Sequence, residues 1–169
     1  MFSPARLLGI ILTAAVLVTF VVFGLSGTRS ANGRLAPALP TTPLSGQPVT
    51  LAGLKGKPAI VIFWASWCGP CAHEAPALAR VAQRLGSRAH MVGVNWSDVS
   101  VSDAKAFIRR YGWTFPNLRD AEGTAGNNYG IISLPTTFLI DSDGHIRQTL
   151  RGPQTEQALD RALATLMRG

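Results

Sequence analysis

The sequence predicts an α/β sandwich with a mixed central sheet, preceded by one N-terminal apolar segment. The continuous apolar run at residues 59–64 is typical of a strand buried on both faces. Apolar residues at helical spacing follow this run, and a second apolar strand follows that predicted helix. Two further strand patterns flank the turn sequence Asp141-Ser142-Asp143-Gly144, which predicts an antiparallel hairpin. This order of elements indicates helical layers packed on a mixed sheet.

The chain begins with a long apolar segment. Leu7 to Leu25 spans nineteen residues without a charge, and a helix of that length crosses the roughly 30 Å hydrocarbon layer of a membrane. We therefore expect residues 1–26 to form a single-pass membrane anchor. A cleaved signal peptide is the alternative, although its apolar stretch usually has about 7–15 residues. Basic residues lie on both sides of the segment, so their number does not decide the orientation in the membrane.

The segment after the anchor has the composition of a tether. Residues 27–48 are rich in Pro, Gly, Ser and Thr and have no periodic apolar face. We assign residues 27–40 to a flexible linker and residues 41–169 to the folded domain.

The first half of the domain is predicted to contain two strands and the helix between them. The strands are residues 59–64 and 90–95, and Gly86 ends the helix. Four apolar residues define the buried face of this helix, namely Leu78, Val81, Ala82 and Leu85.

In the second half, Ser102 is predicted to cap a helix that extends to about Tyr111. The remaining elements are a short helix, two hairpin strands and a closing amphipathic helix, over residues 122–129, 136–140, 145–150 and 154–167.

Composition narrows the possible functions. Hydrophobic residues make up 47% of the 169 residues, which is ample for a core and excludes a disordered chain. Two cysteines exclude a disulfide-stapled scaffold and a zinc site of three or four thiolates. The net charge is +7, and it falls to +4 without Arg6, Arg29 and Arg34. This smaller charge does not call for a nucleic-acid partner, and none is expected.

Both cysteines lie in the sequence Cys68-Gly69-Pro70-Cys71, between a predicted buried strand and a predicted helix. Cys68 falls at the helix amino terminus, where free N–H groups and the helix dipole favour a thiolate. A thiolate is the attacking species in disulfide exchange, and Cys71, one turn later, can attack the mixed disulfide that Cys68 forms. The pair is therefore interpreted as a redox-active disulfide, Cys68–Cys71, with no other cofactor.

Other interpretations of the pair are weaker. Structural zinc would need two further ligands. Haem attachment needs a histidine directly after the second cysteine, where Ala72 stands and His73 is one place too late. Copper delivery by two thiols and one histidine remains open as a non-enzymatic alternative.

The run from Phe63 to Cys71, FWASWCGPC, resembles the active-site strand and loop of thioredoxins. It is most similar to the membrane-anchored TlpA/ResA/DsbE group of extracytoplasmic thiol–disulfide oxidoreductases, which function in cytochrome c biogenesis. Three further stretches fit that group, namely residues 54–58 (LKGKP), Glu74 with Pro76, and residues 134–141 (LPTTFLID). The resemblance covers residues 40–167 and implies a thioredoxin-like three-layer sandwich.

The resemblance also implies a proton acceptor. Ile62 stands where thioredoxins carry a buried aspartate beneath the dithiol, whereas Glu74 matches a carboxylate of the membrane-anchored group. A partly buried Glu74 should have a raised pKa and could accept the proton of Cys71. The alternative is an ordinary glutamate near a helix amino terminus, favoured by the helix dipole.

Substrate contacts are expected on either side of the dithiol. By resemblance Pro135 is a cis-proline that leaves the preceding backbone free to pair with an extended substrate, although an ordinary proline at a strand start is the alternative. Leu134 and Thr136 flank it and are predicted substrate-binding residues. Trp67, beside Cys68, is the third, and no metal ligands are expected.

Together these features predict a membrane-tethered thiol–disulfide oxidoreductase that acts as a monomer outside the cytoplasm. By resemblance it reduces disulfides in secreted client proteins, with apocytochrome c the leading candidate, and receives electrons from a membrane-embedded thiol carrier. The alternatives are an oxidant or isomerase of secreted proteins, and a non-enzymatic carrier of copper or of client proteins.

Overall fold

The computed structural model describes residues 33–168, which contain one six-stranded sheet and four α-helices. The strands are β1 Thr42–Ser45, β2 Ala59–Trp64, β3 His90–Trp96, β4 Asn117–Asp120, β5 Thr136–Ile140 and β6 Ile146–Arg151. The helices are α1 Gly69–Leu85, α2 Val101–Arg110, α3 Thr124–Tyr129 and α4 Glu156–Leu166, with a short 3-10 helix at Ala52–Leu54.

The sheet is mixed, in the order β1-β4-β3-β2-β5-β6. The central strand β2 pairs in parallel with β3 and antiparallel with β5. Strands β3 and β4 are parallel, whereas β1 and β6 are antiparallel edge strands. The predicted α/β sandwich with a mixed central sheet is therefore confirmed.

Two apolar cores lie on opposite faces of the sheet, and both depend on β2, whose six residues are fully buried. Ile60, Ile62 and Trp64 belong to the core that contains α1, α2 and α4. Val61 and Phe63 belong to the core that contains α3 and the segment before β1. This alternation follows from the period of two residues in a strand and produces the three layers.

The indole of Trp64 fixes the carboxyl end of β2. Its Nε1 donates to Oδ1 of Asn117 at 3.1 Å, and its ring stacks on Phe107 with centroids 4.8 Å apart. Gly93 on β3 lies directly beside this hydrogen bond, since a Cβ there would overlap the Asn117 amide.

Three differences from the sequence prediction concern short or local features. The four-residue strands β1 and β4 were not predicted, because TPLS and NLRD carry no alternating apolar pattern. Helix α2 is capped by Ser100 and not by Ser102. The Ser100 hydroxyl accepts a hydrogen bond from the Asp103 N–H at 3.1 Å.

The folded part of the chain begins earlier than predicted. Ala36 donates its N–H to the Gly144 carbonyl at 2.9 Å, and Arg34 accepts from the Ile146 N–H at 2.8 Å. Ala36 and Leu39 are buried in the second core. The flexible-linker prediction for residues 27–40 therefore does not hold over residues 34–40, because backbone pairing with the hairpin is not visible in composition.

The predicted anchor, residues 1–26, and the start of the predicted linker lie outside the described residues. Within residues 33–168, no helix combines the length and apolar character required to cross a membrane.

Gly93→Ala is expected to destabilise the fold by about 1–3 kcal/mol, because the new methyl group overpacks the buried site and displaces the Asn117 amide from Trp64. Urea unfolding followed by tryptophan fluorescence measures the loss. Gly53→Ala is the matched control, since its nearest new contact, the Thr50 hydroxyl, lies at 3.5 Å. Equal stabilities for the two variants would contradict this account.

Candidate active site

The two cysteines lie where β2 passes into α1, and they form a disulfide with Cα atoms 5.2 Å apart. Cys68 is the N-cap residue of α1, and its sulfur accepts a hydrogen bond from the Cys71 N–H at 3.1 Å. Pro70 lies in the first turn, where its missing N–H leaves no helix bond unmade. The predicted position of Cys68 at the helix amino terminus is confirmed.

Both sulfurs belong to the apolar core on the α1 side of the sheet. Cys68 is 5% exposed and Cys71 is 2% exposed, so Cys68 is the more accessible of the two. Ile62, fully buried, belongs to the same core cluster. Its side chain supplies no ionisable group beneath the disulfide.

Glu74 shares the buried face of α1 with Cys71 and is 1% exposed. Neither carboxylate oxygen has a hydrogen-bond partner among the described residues. Burial raises the pKa of Glu74 from 4.5 to about 7, although the backbone N–H of Gln154, which lies near the carboxyl but outside hydrogen-bond geometry, lowers it in part. The expected raised pKa is confirmed. The helix dipole does not explain this residue, because Glu74 lies beyond the first turn of α1.

The peptide bond between Leu134 and Pro135 is cis, as the resemblance implies. Pro135 directly precedes β5, and Thr136 of β5 pairs with Phe63 of β2. This pairing places the proline loop beside the end of β2 that carries the dithiol. The Pro135 carbonyl accepts from the Gly152 N–H at 2.9 Å, so the loop is held from β6 as well.

The predicted substrate-binding residues occupy different environments. Trp67 is 61% exposed, and Leu134 is half-buried against both cores. Thr136 is 3% exposed, and its hydroxyl donates to the Ser133 carbonyl at 2.8 Å. Its side chain supports the proline loop and offers little surface to a substrate.

Two further residues, one before the cis-proline and one against the active-site loop, were not singled out by sequence reasoning. Ile132, in the loop before Pro135, is 81% exposed, and the Ile131-Ile132 pair outside any strand was the available signal. Asp98 is 3% exposed and accepts hydrogen bonds from Ser66 in the active-site loop. The sequence feature that could have indicated this buried carboxylate was the polar Asn95 in an otherwise apolar strand.

Residues 33–149 match the family model described as the AhpC/TSA family. The chain belongs to this family. ResA, a thiol-disulfide oxidoreductase of Bacillus thuringiensis subsp. konkukian, is 34% identical over 131 residues, which are 78% of this chain and 76% of ResA. HelX, a thiol:disulfide interchange protein of Rhodobacter capsulatus, is 35% identical over 140 residues, which are 81% of this chain and 77% of HelX.

The fold is confirmed by solved structures. A thiol:disulfide interchange protein of the thioredoxin family from Chlorobium tepidum gives a TM-score of 0.68 at 29% identity, covering 80% of this chain and 97% of its own. With the relatives, this similarity confirms the resemblance to thioredoxin-like proteins of the ResA and DsbE type. The protein is a thiol–disulfide oxidoreductase, and its Cys68–Cys71 disulfide has the arrangement of a redox-active pair.

Residues 33–168 contain no group of three or more His, Cys, Asp or Glu side chains arranged to hold a metal ion.

Glu74→Gln is expected to flatten the pH dependence of stability. Because the pKa of Glu74 is about 7 in the folded protein against its ordinary 4.5, the unfolded chain releases this proton first. The wild-type protein therefore loses stability as the pH rises between these values, by about 3 kcal/mol in total. In urea unfolding of the oxidised protein, the glutamine variant should gain stability relative to wild type as the pH rises from about 4.5 to about 7, and it should keep that advantage above pH 7.

Glu122→Gln is the control for this comparison, since it removes the same charge from an exposed side chain. If wild type and Glu74→Gln lose stability in parallel as the pH rises, the buried carboxyl is not the cause.

Proposed function

We propose that this protein is a membrane-tethered reductase of disulfides in secreted proteins, acting outside the cytoplasm, with apocytochrome c its leading client. The observation that carries the proposal is the buried, unpartnered Glu74 on the same helix face as Cys71. A reductase must remove the proton from its second thiol, and a carboxyl with a pKa of about 7 is suited to that step near neutral pH.

In the first step, the Cys68 thiolate attacks one sulfur of a client disulfide. A bond forms between Cys68 and that sulfur, the client disulfide bond breaks, and the electron pair leaves on the second client sulfur. The Cys71 N–H that now faces the Cys68 sulfur at 3.1 Å stabilises the attacking thiolate, together with the helix dipole.

In the second step, the Cys71 thiol gives its proton to the Glu74 carboxylate and the resulting thiolate attacks the Cys68 sulfur. The Cys68–Cys71 disulfide forms, and the remaining client sulfur leaves as a thiolate to which that proton is available. The client gains two electrons, which the enzyme dithiol loses. A dithiol carrier in the membrane then reduces the enzyme disulfide and restores the starting state.

The client is proposed to bind between Trp67 and the proline loop. The exposed indole of Trp67 supplies apolar contact area beside Cys68. The backbone before Pro135 pairs with an extended client segment, and Leu134 selects among segments by its size. A cysteine-flanking stretch of an unfolded protein, such as an apocytochrome, has the extended shape that this mode of binding requires.

The cellular setting is proposed from the sequence. The uncharged segment Leu7–Leu25 has the length of a membrane anchor. Outside the cytoplasm, cysteines that must stay free for a later reaction need a dedicated reductant, because that compartment favours disulfides. Anchoring would keep the domain close to both its dithiol donor and its newly exported clients.

The reduction potential tests the direction of electron flow. The Gly-Pro spacer between the cysteines is that of reducing thioredoxins, whose potential is about −270 mV, whereas a strong oxidant has a potential of about −120 mV. Equilibration of the full-length protein with glutathione is expected to give a value close to the first figure. A potential well above about −200 mV would instead make the protein an oxidant or isomerase.

Cys71→Ala is expected to trap clients. Without the resolving thiol, the mixed disulfide formed by Cys68 persists and appears on non-reducing gels as adducts that a reductant dissolves. Mass spectrometry of the adducts identifies the clients. Cys68→Ala is the matched control and should trap far less, because Cys71 is the less accessible sulfur. Equal trapping by both variants, or none by either, would contradict the assigned roles.

A further inference from the structure

Asp98 follows β3 and connects the active-site loop to its neighbours through its carboxylate. Oδ2 accepts from the Ser66 N–H at 2.6 Å and from Nδ2 of Asn95 at 2.8 Å. Oδ1 accepts from the Ser66 hydroxyl at 3.0 Å. The backbone N–H of Ser100, the cap of α2, lies close enough to the carboxylate to favour its charged form. The carboxylate therefore joins the loop after β2 to the end of β3.

This side chain is an anion in the folded protein. Burial alone raises the pKa of Asp98, but the hydrogen bonds from Asn95 and Ser66, together with the nearby Ser100 N–H, outweigh burial and hold the pKa below its usual value. Three donors reach the two carboxylate oxygens, and an ionised carboxylate, which only accepts, can pair with all of them.

The negative charge is held by neutral donors. Arg119 approaches from β4, but its guanidinium donates to the Asp98 backbone carbonyl at 2.9 Å and not to the carboxylate. Among the described residues, Asp98 forms no salt bridge. No cation therefore neutralises the carboxylate by direct contact within that part of the chain.

Cys68 lies close to this charge. Two residues of chain span at most about 7 Å, and Ser66 N lies 2.6 Å from the carboxylate. Asp98 is therefore within about 10 Å of the Cys68 backbone. Both residues are buried, so salt screens their interaction less than it would screen a pair at the surface.

We propose that Asp98 is a positioning residue that holds the Cys68 loop through Ser66 and, as a fixed negative charge, makes the dithiol more strongly reducing. The charge disfavours the Cys68 thiolate of the reduced form and leaves the neutral disulfide unaffected, so the equilibrium shifts towards the disulfide. A couple with a less stable reduced form has a lower potential. This inference holds whichever client the enzyme reduces or oxidises, since it concerns only the enzyme's own couple.

Asp98→Asn is the decisive variant, because it removes the charge and keeps the shape. The amide oxygen can accept from Ser66 N–H and Asn95, and the amide nitrogen can donate to the Ser66 hydroxyl. Equilibration of the full-length protein with glutathione should shift about tenfold towards the reduced form, which is about +30 mV for a two-electron couple. Ultraviolet thiolate absorbance should show thiolate formation at lower pH.

Asp103→Asn is the matched control, because it removes the same charge from an exposed side chain on α2. It should leave the potential and the thiolate titration unchanged. An Asp98→Asn potential within twofold of wild type in the glutathione equilibrium, a shift towards the disulfide, or an equal shift in both variants would overturn the proposal.

Ser66→Ala separates holding the loop from carrying the charge. This variant loses the hydroxyl contact and keeps the ionised Asp98, so the potential should stay near the wild-type value while the KM for a disulfide substrate rises. A potential that shifts as far as in Asp98→Asn would show that loop geometry, and not charge, sets the couple, which would also overturn the proposal.

Discussion

The pairing of β2 with both β3 and β5 is the constraint on which the functional end of the molecule depends. Because β3 is parallel and β5 antiparallel to it, the end of β2 meets the carboxyl end of β3 and the start of β5. The dithiol loop, the Asp98 loop and the cis-proline loop therefore lie at the same end of these three central strands. Complete burial of β2 fixes this arrangement, since any slip in register would turn its apolar side chains to the wrong core.

Two buried carboxyl groups near the cysteines show how surroundings decide protonation. Glu74 has no hydrogen-bond donor from a side chain and titrates near neutral pH. Asp98 is equally hidden from solvent but is surrounded by donors and stays ionised. The first is suited to exchange a proton during turnover, whereas the second supplies a constant field. Residue type alone would not distinguish them.

The sequence predicted the parts of this site that depend on local pattern. The apolar run of β2, the Cys-Gly-Pro-Cys turn at a helix start and the hairpin each carry a short-range signal, and each was found. The edge strands β1 and β4 have four residues each and form through pairing with distant segments. The role of Asp98 also depends on a distant segment, since its partner Ser66 lies 32 residues away in the chain. A local sequence pattern therefore does not predict it.

Residues 33–36 determine the point at which the chain enters the domain. It joins the hairpin next to the Asp141–Gly144 turn, at the far end of β5 from Pro135. Gly33 lies directly against the Ile146 carbonyl, where a larger residue would overlap it. The polypeptide thus enters the domain at the pole opposite the cysteines. A tag or fusion partner joined directly at this glycine would start at the end of the domain away from the redox pair.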